Sequence, residues 1–120
     1  MHRTLLLRGL IFLCAIFVLA APVLAKRGAP PLVPPVTVGT VEYSAPSGRM
    51  GFVVATDTRS HQELWRERIY FVVINPFLER DVQDVFINSL VVEGNSLLIT
   101  NERGARFVLN LATRKVTVRK

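Results

Sequence analysis

The chain has 120 residues, of which fifteen are basic and nine acidic, giving a net charge of +6 at pH 7. This length allows at most one small domain with one modest core. The basic residues are scattered along the chain, whereas nucleic-acid binding needs a basic stripe with stacking aromatic residues. We therefore expect no nucleic-acid partner.

The N-terminus has the pattern of a secretory signal peptide. Arg3 and Arg8 form a basic start, and the apolar run 9–25 ends in small residues that suit cleavage near Ala25. We predict that residues 1–25 are removed on export to the periplasm or the medium, so that the protein contacts the membrane only transiently. A buried N-terminal helix or a retained membrane anchor is the alternative.

Export would leave a mature chain without cysteine. Cys14 is the only cysteine, and the residues before it, Phe12 and Leu13, are too large for a lipoprotein signal. Without Arg3 and Arg8 the mature chain has thirteen basic and nine acidic residues, a net charge of +4. Packing alone must hold this chain together, since disulfides are not available to it.

Residues 26–36 are predicted to form a linker. Four prolines fall within the eight residues 29–36, and proline fixes φ and lacks a backbone donor, which favours an extended, polyproline-like segment. The linker either holds the domain away from the membrane or serves as a docking peptide for an aromatic groove. The remainder, residues 37–120, is predicted to be a small β domain.

The domain begins with two apolar runs that are typical of strands. Residues 36–44 alternate loosely between apolar and polar, and residues 51–57 are rich in β-branched side chains. Between them, residues 45–48 contain the proline and glycine of a turn. We predict one strand over each run.

The segment 55–74 contains the only tryptophan and has two interpretations. Ser60 followed three residues later by Glu63 has the spacing of a helix capping box. The run 69–74, IYFVVI, consists of β-branched and aromatic residues, which favours a strand. We predict a strand from about residue 62 to residue 74. The residues predicted to share one face of it are Trp65, Ile69, Phe71 and Val73.

The pattern changes at Asn75-Pro76, which is typical of a helix start. We predict one short helix over residues 76–83. Strands follow over 85–92, 96–100, 105–111 and 116–119, with Gly104 in a tight turn. The predicted fold class is therefore mainly β: a small antiparallel meander with one buried face and one short helix.

Two stretches resemble a known repeat. The first is Asn95–Val116, NSLLITNERGARFVLNLATRKV, and the second is Ala55-Thr56-Asp57 followed by Leu64-Trp65. Both are similar to the blade repeat of the quinoprotein-type (PQQ-like) β-propellers, with Ser60-His61 and Thr113-Arg114 where that family has Thr-Gly. The resemblance implies a twisted, blade-like antiparallel sheet that closes on itself or pairs with a partner. A propeller needs several blades, so no cofactor-binding residue carries over and no cofactor is expected.

Two groups of residues are candidates for chemistry. Asp57 and His61 have the residue types of an acid–base pair, but the favoured interpretation is an exposed turn histidine. Glu79, Asp81 and Asp84 have the oxygens that bind a hard cation such as Ca²⁺, but an acidic first helical turn explains them more simply. We predict no catalytic residue and no metal site.

Four residues are candidates for an interaction site. Trp65 is either a recognition anchor or, as we favour, a core residue. Arg66, Arg68 and Tyr70 are predicted to share the opposite strand face as a polar recognition strip, or else to be a solvated sheet face. The last strand, 116–120, offers an edge for pairing with an unknown partner protein or with a second copy.

These observations predict an exported, non-catalytic β domain that acts through protein–protein contacts as an accessory or envelope-associated module. Two alternatives remain open at this point. One is a small exported hydrolase that uses Asp57, His61 or the Asp81/Asp84 pair. The other is a binder of anionic envelope polymers or lipids through the basic surface, whose binding would weaken with salt.

Overall fold

The computed structural model describes residues 28–120. The predicted signal peptide, residues 1–25, lies outside them. Residues 28–35 form no strand, and the first strand begins at Val36. Within residues 28–120, no helix combines the length and the apolar character needed to cross a bilayer.

The prediction of a mainly β, antiparallel fold is confirmed. The described residues form two four-stranded antiparallel sheets, and within each sheet every strand pairs with the next one along the chain. The first sheet contains β1 (Val36–Val38), β2 (Val41–Ser44), β3 (Phe52–Asp57) and β4 (Glu63–Arg68). The second contains β5 (Ile87–Glu93), β6 (Ser96–Asn101), β7 (Arg106–Asn110) and β8 (Val116–Arg119).

The first predicted strand, 36–44, is divided into β1 and β2. Gly39 has a φ of 63°, a left-handed conformation that glycine adopts without steric cost. The chain therefore reverses after Val38, and Val38 pairs with Val41 across a two-residue turn. A loose apolar alternation does not distinguish one strand from such a short hairpin.

Within the segment 62–74, residues Glu63–Arg68 form the strand β4, so the prediction of a strand rather than a helix is confirmed there. The prediction that the strand extends to Ile74 is wrong, because β4 ends at Arg68. The partner strand β3 begins at Phe52, which pairs with Arg68. One more backbone hydrogen bond follows, from Ile69 N to Gly51 O at 2.7 Å. The chain beyond has no strand beside it and leaves the sheet.

The predicted helix over 76–83 is reduced to a 3-10 helix, Asp81–Gln83. Asn75 does accept a hydrogen bond at its Oδ1, from Phe77 N at 2.9 Å, but this closes a local turn instead of capping an α-helix. The Gln83 side chain accepts from Asn75 N at 2.6 Å and donates to Asn75 O and Glu79 O at 3.0 Å. It therefore closes residues 75–83 into a compact loop.

The two sheets repeat the same pair of turns. The β1–β2 turn starts at Gly39 with φ 63°, and the β5–β6 turn starts at Gly94 with φ 62°. The β3–β4 turn has His61 at φ 62°, and the β7–β8 turn has Arg114 at φ 65°. Both turns therefore place a non-glycine residue in the left-handed region, at the two positions where the resemblance leads us to expect glycine.

The hydrogen bonds of these turns also correspond. The Asp57 carboxylate accepts from Ser60 N at 3.0 Å, and Asn110 Oδ1 accepts from Thr113 N at 2.9 Å. Between the turns, Thr58 N donates to Thr40 O at 2.9 Å, as Leu111 N does to Asn95 O at 3.0 Å. The two sheets thus share one strand order and equivalent turns.

The core lies between the sheets. Residues from both sheets form one buried apolar cluster, which consists of Tyr43, Val53, Ala55, Ile69, Ile87, Leu90, Leu97, Ile99 and Leu109. We call "front" the face that holds the pair Val41–Asp57 in the first sheet and the equivalent pair Ser96–Asn110 in the second. By strand alternation, Tyr43, Val53 and Ala55 lie on the front face, whereas Leu97, Ile99 and Leu109 lie on the opposite, back face. The sheets therefore pack front to back.

Candidate interaction surface

Trp65 lies on the front face of β4, partly buried where the two sheets meet. Its ring centroid is 5.8 Å from that of Tyr43, with the planes tilted by 48°. From the second sheet, the Arg114 guanidinium lies 5.2 Å from the centroid of the indole ring, close enough for a cation–π contact. Trp65 packs against the core cluster and so contributes to the junction between the sheets.

Arg66 belongs to a polar cluster on the back face of the first sheet. Its Nε donates to Glu63 Oε2 at 2.8 Å, and Arg49 donates to Glu63 Oε1 at 3.1 Å. The hydrogen bond from Arg66 is the main cause that holds the pKa of Glu63 below its usual value. Because these side chains are exposed, the pairs contribute little to stability.

Arg68 is placed between two aromatic rings. Its guanidinium carbon lies 4.9 Å from the ring centroid of Phe52 and 4.1 Å from that of Phe71. Arginine stacks well on aromatic faces because its charge is delocalised and weakly hydrated. Arg68 thus links the end of the sheet to the first residue of the loop that follows.

Tyr70 is not on the face that carries the two arginines. Its ring stacks on Phe107 of the second sheet, with centroids 5.3 Å apart, and its hydroxyl donates to Val85 O at 2.6 Å. Burial is the main cause that raises its pKa to about 12. Of the predicted strip, Arg66 and Arg68 therefore lie together on the surface, while Tyr70 fastens the chain to the second sheet.

The loop after Tyr70 exposes apolar side chains, and we call residues 71–78 the apolar loop. Phe71 is 76% exposed, Val73 91% and Phe77 91%, and Leu78 is exposed as well. A group of exposed large apolar side chains in one segment marks a contact site more often than scattered ones do. The apolar loop adjoins Arg68, so the exposed arginines and the loop form one continuous surface.

Sequence reasoning missed this surface, because it placed Phe71 and Val73 in a strand, on the same face as Trp65. That placement was wrong, since β4 ends at Arg68 and the alternation of faces ends with it. The available signal was the run 71–74, FVVI. It has no alternating polar residue, so it does not fit an edge strand with one solvated face.

The residues considered for catalysis build a turn. The Asp57 carboxylate accepts from Ser60 Oγ at 2.7 Å as well as from Ser60 N, and these bonds lower its pKa. His61 donates its backbone N–H to Asp57 O at 2.8 Å, and its side chain is exposed.

The acidic residues considered for a metal lie in the loop 75–84. There Arg80 Nε forms an ion pair with Asp84 Oδ1 at 3.5 Å. In the part of the chain that the structure describes, no group of three or more His, Cys, Asp or Glu side chains is arranged to hold a metal ion.

Comparison with known proteins assigns the chain to no family. No protein-family model matches the chain, and a search of curated proteins finds no significant match.

Proposed function

We propose that this chain is an exported, non-catalytic β domain that binds a partner protein through the apolar loop and the adjoining Arg68. The observation that carries the proposal is the exposure of Phe71, Val73 and Phe77. Burying these side chains against a partner would gain about 25 cal/mol for each Å² of apolar surface removed from water. Aromatic residues and arginine are also the side chains that contribute most to protein interfaces.

The loop is held in place at both ends, which favours binding. Tyr70 fastens its start through the hydroxyl bond to Val85 O and the ring contact with Phe107. Gln83 closes its far end with three hydrogen bonds to residues 75 and 79. A loop that is already ordered loses less conformational entropy on binding. The apolar side chains are therefore presented on a fixed backbone.

The proposal is tested by photo-crosslinking in the exporting cell. A photoreactive phenylalanine analogue at position 77 is expected to give a discrete adduct with a partner, identified by mass spectrometry. The same analogue at Thr37, an exposed position on β1, is the control and should not give that adduct. The mass of the purified protein shows independently whether residues 1–25 are removed.

Two double variants give the decisive comparison. Phe71→Ser with Val73→Ser should abolish the adduct from position 77. Leu32→Ser with Val118→Ser, which changes two exposed apolar residues outside the loop, should leave it unchanged. Identical adducts from positions 77 and 37, or none from position 77, would contradict the proposal. An adduct that disappears in high salt would indicate binding through the basic surface instead.

A further inference from the structure

The front-to-back packing of two equivalent sheets leaves two complementary faces open. The front of the first sheet is covered by the back of the second. The front of the second sheet, which is equivalent to the covered front of the first, has no sheet on it among the described residues of one chain. The back of the first sheet, which is equivalent to the covering back of the second, covers no sheet in that part of the chain. We propose that a second copy of this chain places the back of its first sheet on the front of the second sheet, continuing the packing found within one chain. This contact lies outside the apolar loop and shares only Arg68 with the proposed partner site, so it does not rest on the proposed function.

The front of the second sheet has the features of a surface that receives another sheet. Its centre is an apolar row across three strands, Val91, Leu98 and Val108, which are paired side by side. Beside this row lies a shallow groove of about 170 Å³. The residues that line the groove are Ser96, Val108, Asn110, Thr113, Lys115 and Thr117. Val91 remains 45% exposed.

The repeat shows which element would enter this groove. In the first sheet Ala55 pairs with Trp65, and in the second Val108 pairs with Thr117, so Thr117 is the equivalent of Trp65. Within the chain, Trp65 is covered by Arg114 from the β7–β8 turn of the following sheet. The β3–β4 turn of a second copy, with His61 at its apex, would cover Thr117 in the same way.

The inference also accounts for the residue at the apex of the β3–β4 turn. His61 adopts a φ of 62°, a conformation in which glycine would fit more easily. Its equivalent, Arg114, uses its side chain to contact the neighbouring sheet. An exposed histidine in the same conformation has a side chain available for the same contact with a second copy.

The surface offered by the second copy is the back of its first sheet. Phe52 on β3 is partly exposed there, and it is flanked by Arg66 and Arg68 of β4. Because two different faces meet, the contact is heterologous and generates a ring if the rotation closes, or an open chain if it does not. Both faces are more polar than the buried pair, so we expect reversible, concentration-dependent association.

Cysteine crosslinking distinguishes this arrangement from any other dimer. In a Cys14→Ser background, differently tagged chains carry either Arg59→Cys, in the β3–β4 turn, or Thr117→Cys, in the groove. With a flexible thiol crosslinker, the proposal predicts crosslinked dimers when the two chains are co-expressed and none when either is expressed alone. Ser47→Cys, at the opposite end of the first sheet, replaces Arg59→Cys as the control and should not link to Thr117→Cys.

A surface variant keeps the test independent of folding. Val91→Arg should reduce the yield of the mixed crosslink at least tenfold, while the thermal unfolding curve stays that of the wild type because the Val91 side chain is 45% exposed and outside the buried cluster. Leu32→Arg, a similar change outside both faces, should leave the crosslink intact. Dimers from Thr117→Cys alone would show a symmetric front-to-front contact and overturn the proposal, as would the absence of any crosslink in the mixed cells. Neither result affects the photo-crosslinking at position 77.

Discussion

Replacement of Tyr70 by phenylalanine tests how the chain is fastened between its two sheets. The variant removes the hydroxyl, which donates to Val85 O at 2.6 Å, and keeps the ring that stacks on Phe107. Such a hydrogen bond contributes about 1 kcal/mol to the free energy of unfolding, and the buried carbonyl left without it costs roughly as much again. We therefore expect a loss of about 1–2 kcal/mol, or a Tm lowered by ~5–10 °C for a domain of this size.

The assay is urea unfolding at pH 7, followed by the fluorescence of the single tryptophan. Tyr43→Phe is the matched control, because Tyr43 is buried but its hydroxyl makes no hydrogen bond among the described residues. That variant should unfold within about 0.5 kcal/mol of the wild type. If Tyr70→Phe unfolds at the wild-type urea concentration, or if both variants lose the same amount, the hydroxyl bond does not fasten the segment.

The same residue predicts an alkaline transition. The pKa of Tyr70 in the folded state is about 12, above its ordinary value of 10.0, so the folded state holds the proton more tightly than the unfolded state. The stabilisation is complete below pH 10 and is lost as the pH rises from 10 towards 12. We expect the advantage of the wild type over Tyr70→Phe to shrink across this range, in unfolding curves measured at pH 8, 10 and 11.

Three further predictions concern the turns. Gly51→Ala should destabilise the fold by roughly 2 kcal/mol or more. Gly51 has a φ of 82°, and a Cβ there would lie 2.7 Å from the carbonyl oxygen of Tyr70. An unchanged Tm would contradict this close approach. His61→Gly should raise the free energy of unfolding by about 1 kcal/mol, because glycine adopts the left-handed conformation without strain. Arg114→Gly should raise it less, because this variant also loses the contact with the indole ring of Trp65. Equal increases in Tm for the two variants would refute that contact. Asp57→Asn should keep its turn, since an asparagine fills the equivalent position in the second sheet. The pKa of Asp57 lies below its ordinary value of 3.8, so its stabilisation is present above that pH and is lost as the pH falls through the folded value. Asp57→Asn should therefore lose less unfolding free energy than the wild type as the pH falls. An identical acid unfolding transition in both proteins would show that the Asp57 carboxylate does not stabilise the fold.

Local patterns predicted most of the second sheet. In β7 the apolar residues Phe107 and Leu109 alternate with Arg106, Val108 and Asn110, and this period of two predicts the strand directly. Gly104, in the β6–β7 turn, was equally informative, since a positive φ is rare for other residues. These features depend only on neighbours in sequence, and sequence reasoning locates them correctly.

The division into two sheets could not be predicted in this way. It depends on where β3 begins at Phe52, because that fixes where β4 runs out of partners and where the chain crosses to the second sheet. The close approach of Gly51 to Tyr70 joins residues nineteen positions apart, and no periodicity encodes it. The candidate surface was missed for the same reason, since Phe71 is exposed only because its strand has already ended.

The meander topology has a consequence for how the chain folds. Every strand in each sheet pairs with its neighbour along the chain, so each sheet forms from consecutive hairpins with short loops to close. Such local pairing has a small entropic cost and is typically fast. The contacts between the sheets, such as the stacking of Tyr70 on Phe107, span longer stretches of sequence and have no local support. We therefore expect the two sheets to form early and their docking to limit the folding rate.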